Sequence, residues 1–246
     1  IENHKKIGLN AEDIYMLLLD IYNTDYVKQC IERSKEFGFD SEDITILILS
    51  IEDKEFAKQC IEGNIDLGLT TNNVAELIEF IEDSGYTRKC IENWKELGLD
   101  SFNICQLIKY IDDNEYTKQC IENYKNLGLN SENNAILIKS IYDEDYTKDC
   151  LERHDELELE SSSILSLIKT INDYDYREGC IKRREELGLN LIDTLQILIT
   201  TSYSEKDVKN ILNEMIKENN ANNKICINIP ENMTIGIEIE VEGELS

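Results

Sequence analysis

Apolar residues follow a helical period along most of this chain. Tyr116, Cys120, Ile121 and Leu127 lie on one face at steps compatible with 3.6 residues per turn, and so do Ile104, Leu107, Ile108 and Ile111. The second set predicts a short helix of about three turns, the first a longer one. Gly128 follows the last turn of the longer helix, where a left-handed C-cap favours glycine, and Leu129 supplies the accompanying apolar contact. Asn130 or Ser131 then caps the short helix, as Asp40 or Ser41 does earlier. Asp113 closes the short helix and can cap the next long one.

The whole pattern recurs. Cys30, Cys60, Cys90, Cys120, Cys150 and Cys180 occupy the same place in consecutive blocks of thirty residues, and the blocks around them align. A working consensus is I-E-N-x-K-E-L-G-L-N-S-E-N-I-x-x-L-I-K-x-I-x-D-x-D-Y-T-K-Q-C. Six copies are near-complete, and a seventh begins at Ile181 and drifts. Positions below are counted within a repeat, with Ile1, Ile31 and their equivalents as the first. Two helices in about thirty residues leave little loop, so neighbours must be antiparallel. One such hairpin cannot bury both its faces, whereas stacked hairpins can. The expected fold is all-α: a right-handed-type α-solenoid of about seven helix hairpins, on the order of 60–70 Å long at ~8–10 Å per packed helix. It resembles the tetratricopeptide-like class of short helix–turn–helix repeat proteins, although its period of thirty departs from the 34 of that family.

Two blocks depart from the pattern. Glu158 stands where other repeats have glycine, which predicts a reshaped turn, since a side chain at positive φ costs about 1 kcal/mol. Gly63 with Ile65 predicts an irregular first helix in the third repeat.

After Thr201 the period changes. Ser204 to Asp207 read as a capping box opening a last helix that carries Val208, Ile211, Leu212, Met215 and Ile216. The predicted organisation is a helical array over 1–218, a polar linker over 219–224 and a β segment over 225–246. That segment alternates with period two through Ile225, Ile227 and Ile229, then Ile235, Ile237, Ile239 and Val241. It is read as the start of a truncated second domain, and the chain opens mid-pattern at Ile1, as a piece of a longer protein would.

Charge narrows the range of partners. Fifty-one acidic residues against 25 basic ones give a formal charge of −26. Such a surface repels phosphate backbones and anionic membrane, and it favours cations or basic proteins. No apolar run is long enough for a membrane span. The eight cysteines are not spaced as a disulfide set. Equivalent atoms in adjacent repeats are too far apart to bond, and no C-x-x-C pair occurs. The cysteine column therefore reads as small buried hydrophobes in a reducing, cytoplasmic compartment, in preference to a metal or redox ladder. Tyr26, Phe56, Tyr86, Tyr116, Tyr146 and Tyr176 read as inter-repeat packing rather than a base-stacking row. The acidic turns, Glu52 to Glu55, Asp112 to Glu115 and Asp143 to Asp145, read as helix N-caps; a ridge for a basic partner is the alternative.

Fixed columns build a repeat scaffold, and variable columns lie where packing does not decide. The fourth position reads His4, Ser34, Asn64, Trp94, Tyr124, His154, Arg184, with Arg33, Arg153 and Arg183 one residue earlier. A second variable column, at position 16, reads Met16, Ile46, Glu76, Gln106, Ile136, Ser166, Gln196. Two readings stand for the fourth position: neutral drift on an exposed face, or a partner-binding face formed by Trp94, Tyr124, His154, Arg184, Arg153 and Arg183. The expected function is a scaffold that binds a protein or peptide, possibly basic, and needs no cofactor.

The stretch Met233-Thr234-Ile235-Gly236-Ile237-Glu238-Ile239-Glu240-Val241-Glu242 resembles the first strand of the amidoligase family, ATP-dependent carboxylate–amine ligases, with Gly236 as the motif glycine. The resemblance covers about ten residues. It implies Mg²⁺ ligation by Glu238 and Glu240, with ATP bound by further residues outside this sequence. On that alternative the repeats are the N-terminal recruiting or regulatory arm of an enzyme whose catalytic domain begins near residue 225. An amphipathic strand with a solvated acidic face is the other reading of these residues. On neither reading does the chain catalyse by itself.

Overall fold

A computed structural model describes residues 4–63 and 67–200, together with 208, 209 and 213. It contains helices and no strand among those residues. The first helices of the repeats are α3 (Thr24–Glu32), α6 (Lys54–Glu62), α8 (Ser84–Glu92), α10 (Asn114–Glu122), α13 (Glu144–Glu152) and α15 (Tyr174–Lys182). The second helices are α2 (Ala11–Leu19), α5 (Ser41–Ile51), α7 (Thr71–Ile81), α9 (Ser101–Ile111), α12 (Ser131–Ser140), α14 (Ser161–Ile168) and α16 (Leu191–Thr200). Short helices α1 (His4–Ile7), α4 (Ser34–Phe37) and α11 (Tyr124–Leu127) lead into the turn before a second helix. The chain divides into two compact units, 1–188 and 189–246.

Within the first unit, contacts run between sequence neighbours. Each second helix packs on the second helix before it and the one after it, in the order α2, α5, α7, α9, α12, α14. First helices pack on the second helices that flank them. Positions 14, 17 and 18 of the second helix supply the core: Ile44, Leu47 and Ile48, then Val74, Leu77 and Ile78, then Ile104, Leu107 and Ile108 are essentially inaccessible. Removing an aliphatic side chain of this size from water contributes about 1.5–3 kcal/mol. The cysteine column and the isoleucine or leucine after it are buried with them.

The local reasons for the turns are chemical. Position 10 caps the second helix: Asn10, Asp40, Thr70 and Asn130 each accept the backbone N–H three residues on and form a reciprocal capping box. Position 23 caps the first helix through Asn23, Asp53, Asp83, Asp113, Asp143 and Asp173. At the end of the first helix the chain turns through a left-handed residue. Gly128 lies at φ 67°, and the Leu129 N–H donates to the Tyr124 carbonyl at 3.0 Å, which closes the motif.

The sixth repeat corrects one expectation. Glu158 does not reshape its turn; it takes the left-handed conformation itself, at φ 50°, and the Leu159 N–H reaches the His154 carbonyl as in the other repeats. The surrounding packing imposes the turn, and the side chain bears the strain. Its exposed carboxylate meets Lys125 at 2.6 Å. In the third repeat Gly63 ends α6, while residues 64–66, where irregularity was expected, lie outside the described residues. Val208, Lys209 and Asn213 are helical. The linker and β segment lie outside the described residues.

One core position breaks the pattern. Asn134 sits at position 14 of its repeat, fully buried, with neither atom of its amide hydrogen-bonded. An unsatisfied buried amide costs about 1–3 kcal/mol. Asn134→Val, which copies Val74, should therefore stabilise the protein by about that amount in chemical denaturation, and Glu158→Gly should add about 1 kcal/mol by relieving the left-handed turn. A loss of stability in Asn134→Val would mean that the amide has a partner the packing conceals.

Candidate partner-binding surface

The fourth-position residues do not form an exposed face. Tyr124 is only 6% exposed, and its hydroxyl donates to the Glu156 carbonyl of the next repeat at 3.2 Å. Trp94 is half-buried, and its Nε1–H donates to the Asn126 carbonyl of the next repeat at 3.0 Å. Its ring lies against Gly128, where an added Cβ would come within 2.9 Å of it. His154 is buried, with Nδ1 3.0 Å from the Leu151 carbonyl, and Ser34 is buried as well. Arg184 is half-buried, with Nη1 3.4 Å from the Ile181 carbonyl. The expectation of an exposed column is corrected: this position is the seam between repeats. The residue type varies because each seam is filled differently.

Arg153 and Arg183, at the third position, are engaged in the same seam. Arg153 makes a two-pronged pair with Glu122 of the preceding repeat at 3.0 and 2.7 Å, and it also reaches Glu156. Arg183 repeats the arrangement on Glu152 at 2.8 and 2.7 Å. The Arg183 guanidinium, helped by the Tyr176 hydroxyl, holds the Glu152 carboxyl down at about 2. So Trp94, Tyr124, Arg153 and Arg183 are committed to residues of an adjacent repeat, while His154 and Arg184 bond a carbonyl of their own repeat.

The acidic turns and the aromatic column turn out to be parts of one repeated contact. The position-28 cation of one repeat reaches the position-23 carboxylate of the next and lies over its position-26 ring. Arg88 Nη2 meets Asp113 Oδ2 at 2.6 Å, and its guanidinium lies 4.5 Å from the Tyr116 ring centre. Lys28 with Asp53 and Phe56, Lys58 with Asp83 and Tyr86, Lys118 with Asp143 and Tyr146, and Lys148 with Asp173 and Tyr176 repeat it. The same carboxylates cap their own helices, so one side chain both starts a helix and ties it to the previous repeat. At Asp53 and Asp173 the lysine bond chiefly pulls the carboxyl below its ordinary value; at Asp83, Asp113 and Asp143 the backbone N–H of the capped turn does so first.

Six of the buried cysteines are held as thiols. Burial pushes Cys60 up to about 12, and Cys90, Cys105, Cys120, Cys150 and Cys180 up to about 11. None of these six is in a disulfide. Among the described residues no three His, Cys, Asp or Glu side chains converge as a metal site would require, and no helix is long and apolar enough to cross a membrane. Glu238 and Glu240 lie outside the described residues.

What the first unit does leave open is the outer stripe of its second helices. Met16, Ile46 and Glu76 of the position-16 column are exposed, and Gln106, Ile136 and Ser166 are half-buried. One turn on, position 19 reads Leu19, Leu49, Glu79, Lys109, Lys139, Lys169. Steps of three and four residues put positions 12, 16 and 19 on one helix face. Neighbouring repeats join across it, since Lys139 Nζ lies 3.5 Å from Ser166 Oγ. Lys109 and Ile136 share the wall of a groove of about 490 Å³ that Lys139, Tyr142, Thr147 and Thr170 also line. Phe102 (57% exposed) and Tyr110 are exposed on α9, and Tyr142 in the groove wall is 95% exposed at φ 55°. Position 19 was overlooked in the sequence because it changes in blocks rather than repeat by repeat. Reading it down the alignment, from leucine through glutamate to three lysines, would have found it.

The interlocking carboxylates set the acid response. A carboxyl whose folded pKa lies below its unfolded value contributes stability that is present above the unfolded value and lost as pH falls through the folded one. Thermal midpoints should therefore be level from about pH 7 to 5 and drop below about pH 4. Asp113→Asn keeps a cap but removes a charge, so it should lower the midpoint at pH 7 and make the acid drop shallower. An unchanged acid profile would show that these pairs do not couple the repeats.

In comparisons with known proteins, no family model and no curated protein matches this chain, whether of tetratricopeptide-like or amidoligase type.

Proposed function

We propose that this chain is a peptide-binding scaffold: an α-solenoid whose interlocked seams hold a row of second helices and present their outer stripe to a partner. The observation that carries this reading is the contrast between columns. The seam and core columns are filled by inter-repeat contacts, whereas positions 16 and 19 change along the array and face outward, with exposed aromatic and aliphatic side chains beside them. Apolar side chains on a rigid, continuous helical face suit a peptide that crosses several helices in turn. The proposed partner is a protein or peptide. The ligase-arm alternative has its support in residues 233–242 alone.

Selection of peptides from a random displayed library tests the reading. Enriched peptides should bind the chain and lose binding in Ile136→Asp, whose helical circular dichroism should be unchanged because position 16 is not core. They should retain binding in Arg153→Lys, a change confined to the seam. Failure to enrich any peptide, or enriched peptides indifferent to Ile136→Asp, would overturn it.

A further inference from the structure

The stripe is not uniform, and its chemistry changes along the array. In the first two repeats it is apolar, through Met16, Leu19, Ile46 and Leu49; in the third it is acidic, through Glu76 and Glu79; in the fourth to sixth it carries Lys109, Lys139 and Lys169. In a chain with twice as many acids as bases, three successive lysines on one face stand out. The cations at position 28, with Arg153 and Arg183 at position 3, are spent on carboxylates of adjacent repeats. Lys109 and Lys139 are not: among the described residues neither has a carboxylate within ion-pair reach, and Lys139 touches only a serine hydroxyl. The two acids in the groove wall do not serve them. Asp143 is held by Lys118 and the Tyr146 N–H, and Glu144 accepts the backbone N–H groups of Asn172 and Asp173 beside Lys148.

The spacing selects a peptide conformation. Stacked helices stand about 8–10 Å apart. An extended β-strand brings alternate residues to one face at about 6.8 Å, and its every-third residue points to the opposite face. A polyproline II helix has three residues per turn at 3.1 Å each, so every third residue returns to the same face after about 9.3 Å. Such peptides dock between exposed aromatic rings. Here Tyr142 in the groove wall supplies one, and it stands in the open on a left-handed backbone, a conformation that costs a bulky residue free energy.

The geometry points to an acidic peptide in polyproline II conformation as the occupant, crossing α9, α12 and α14. Carboxylates three residues apart meet Lys109 and Lys139, and an intervening proline lies against Tyr142. This rests on the scaffold reading above and names the partner's chemistry.

Fluorescence anisotropy with a labelled (Glu-Pro-Pro)₄ peptide tests it on the full chain. The peptide should bind at low salt and weaken as salt rises. Lys109→Glu with Lys139→Glu should reduce its affinity by about tenfold or more and confer binding of (Lys-Pro-Pro)₄. Both sites are on the outer stripe, and unchanged circular dichroism confirms the fold. Tyr142→Gly should weaken binding while relieving the strained turn, so lower affinity there cannot be ascribed to lost stability. A peptide of the same composition with its glutamates in one block should bind less well. Equal binding of the block peptide, indifference to the charge reversal, or preference of the native chain for (Lys-Pro-Pro)₄ would overturn the proposal. If (Glu-Pro-Pro)₄ fails while library peptides still depend on Ile136, only the partner chemistry is wrong. If neither binds the stripe, the scaffold reading fails with it.

Discussion

No helix pair in this chain can bury its own apolar surface. A second helix such as α9 has Ile104, Leu107 and Ile108 on a face too wide for its own first helix to cover, and all three are inaccessible only because α7 and α12 close over them. Everything else follows from that dependence on neighbours. Helices of nine to eleven residues such as α8 and α9 would be marginal in isolation. Here packing stabilises them, and capping at both ends defines where they stop.

Apolar burial alone would permit neighbours to slide by a turn. The polar contacts restrict that freedom. Each position-23 aspartate is bound at once to its own helix N-terminus and to the position-28 cation of the repeat before it, with the position-26 ring beneath the cation. A shift by one helical turn breaks all three interactions. The seam bonds from Trp94 and Tyr124 to carbonyls in the following repeat add a second fixed point at the other end of the first helix. Individually these are modest, partly exposed contacts. The position-23 contact recurs at five successive junctions, from Asp53 to Asp173, and so gives those repeats a constant register. That constancy is what makes a periodic partner a sensible one.

Much of this was legible in the sequence, and the failures are instructive. The thirty-residue period, the two helices, the caps at Asp40, Asp113 and Asn130 and the Gly128 turn follow from short-range rules that tertiary packing leaves intact. Burial of the cysteine column and packing of the aromatic column between repeats followed from periodicity. The fourth-position column misled because variability was equated with exposure. In a seam between two repeats both walls change together, so Trp94 can fill against Gly128 what Tyr124 fills differently one repeat later. Glu158 misled because intrinsic turn preference was allowed to outweigh a turn imposed from both sides. Asn134 passed unnoticed because an asparagine among Ser131, Glu132 and Asn133 reads as a helix start, and only its burial marks it as a core residue. The lysines at position 19 needed the groove geometry to acquire meaning.

The central claim, that each repeat is held by equivalent contacts to its neighbours, is tested most directly by deleting one whole period. Removing residues 91–120 joins Cys90 to Ile121 and brings Arg88 to Asp143 and Tyr146, the partners now served by Lys118. The account predicts a folded protein with the same helical signal per residue, slightly less stable to denaturant, as expected of a nearest-neighbour array. Loss of helical structure throughout the remaining chain would contradict it, because the repeats would then depend on contacts that are not equivalent from one to the next.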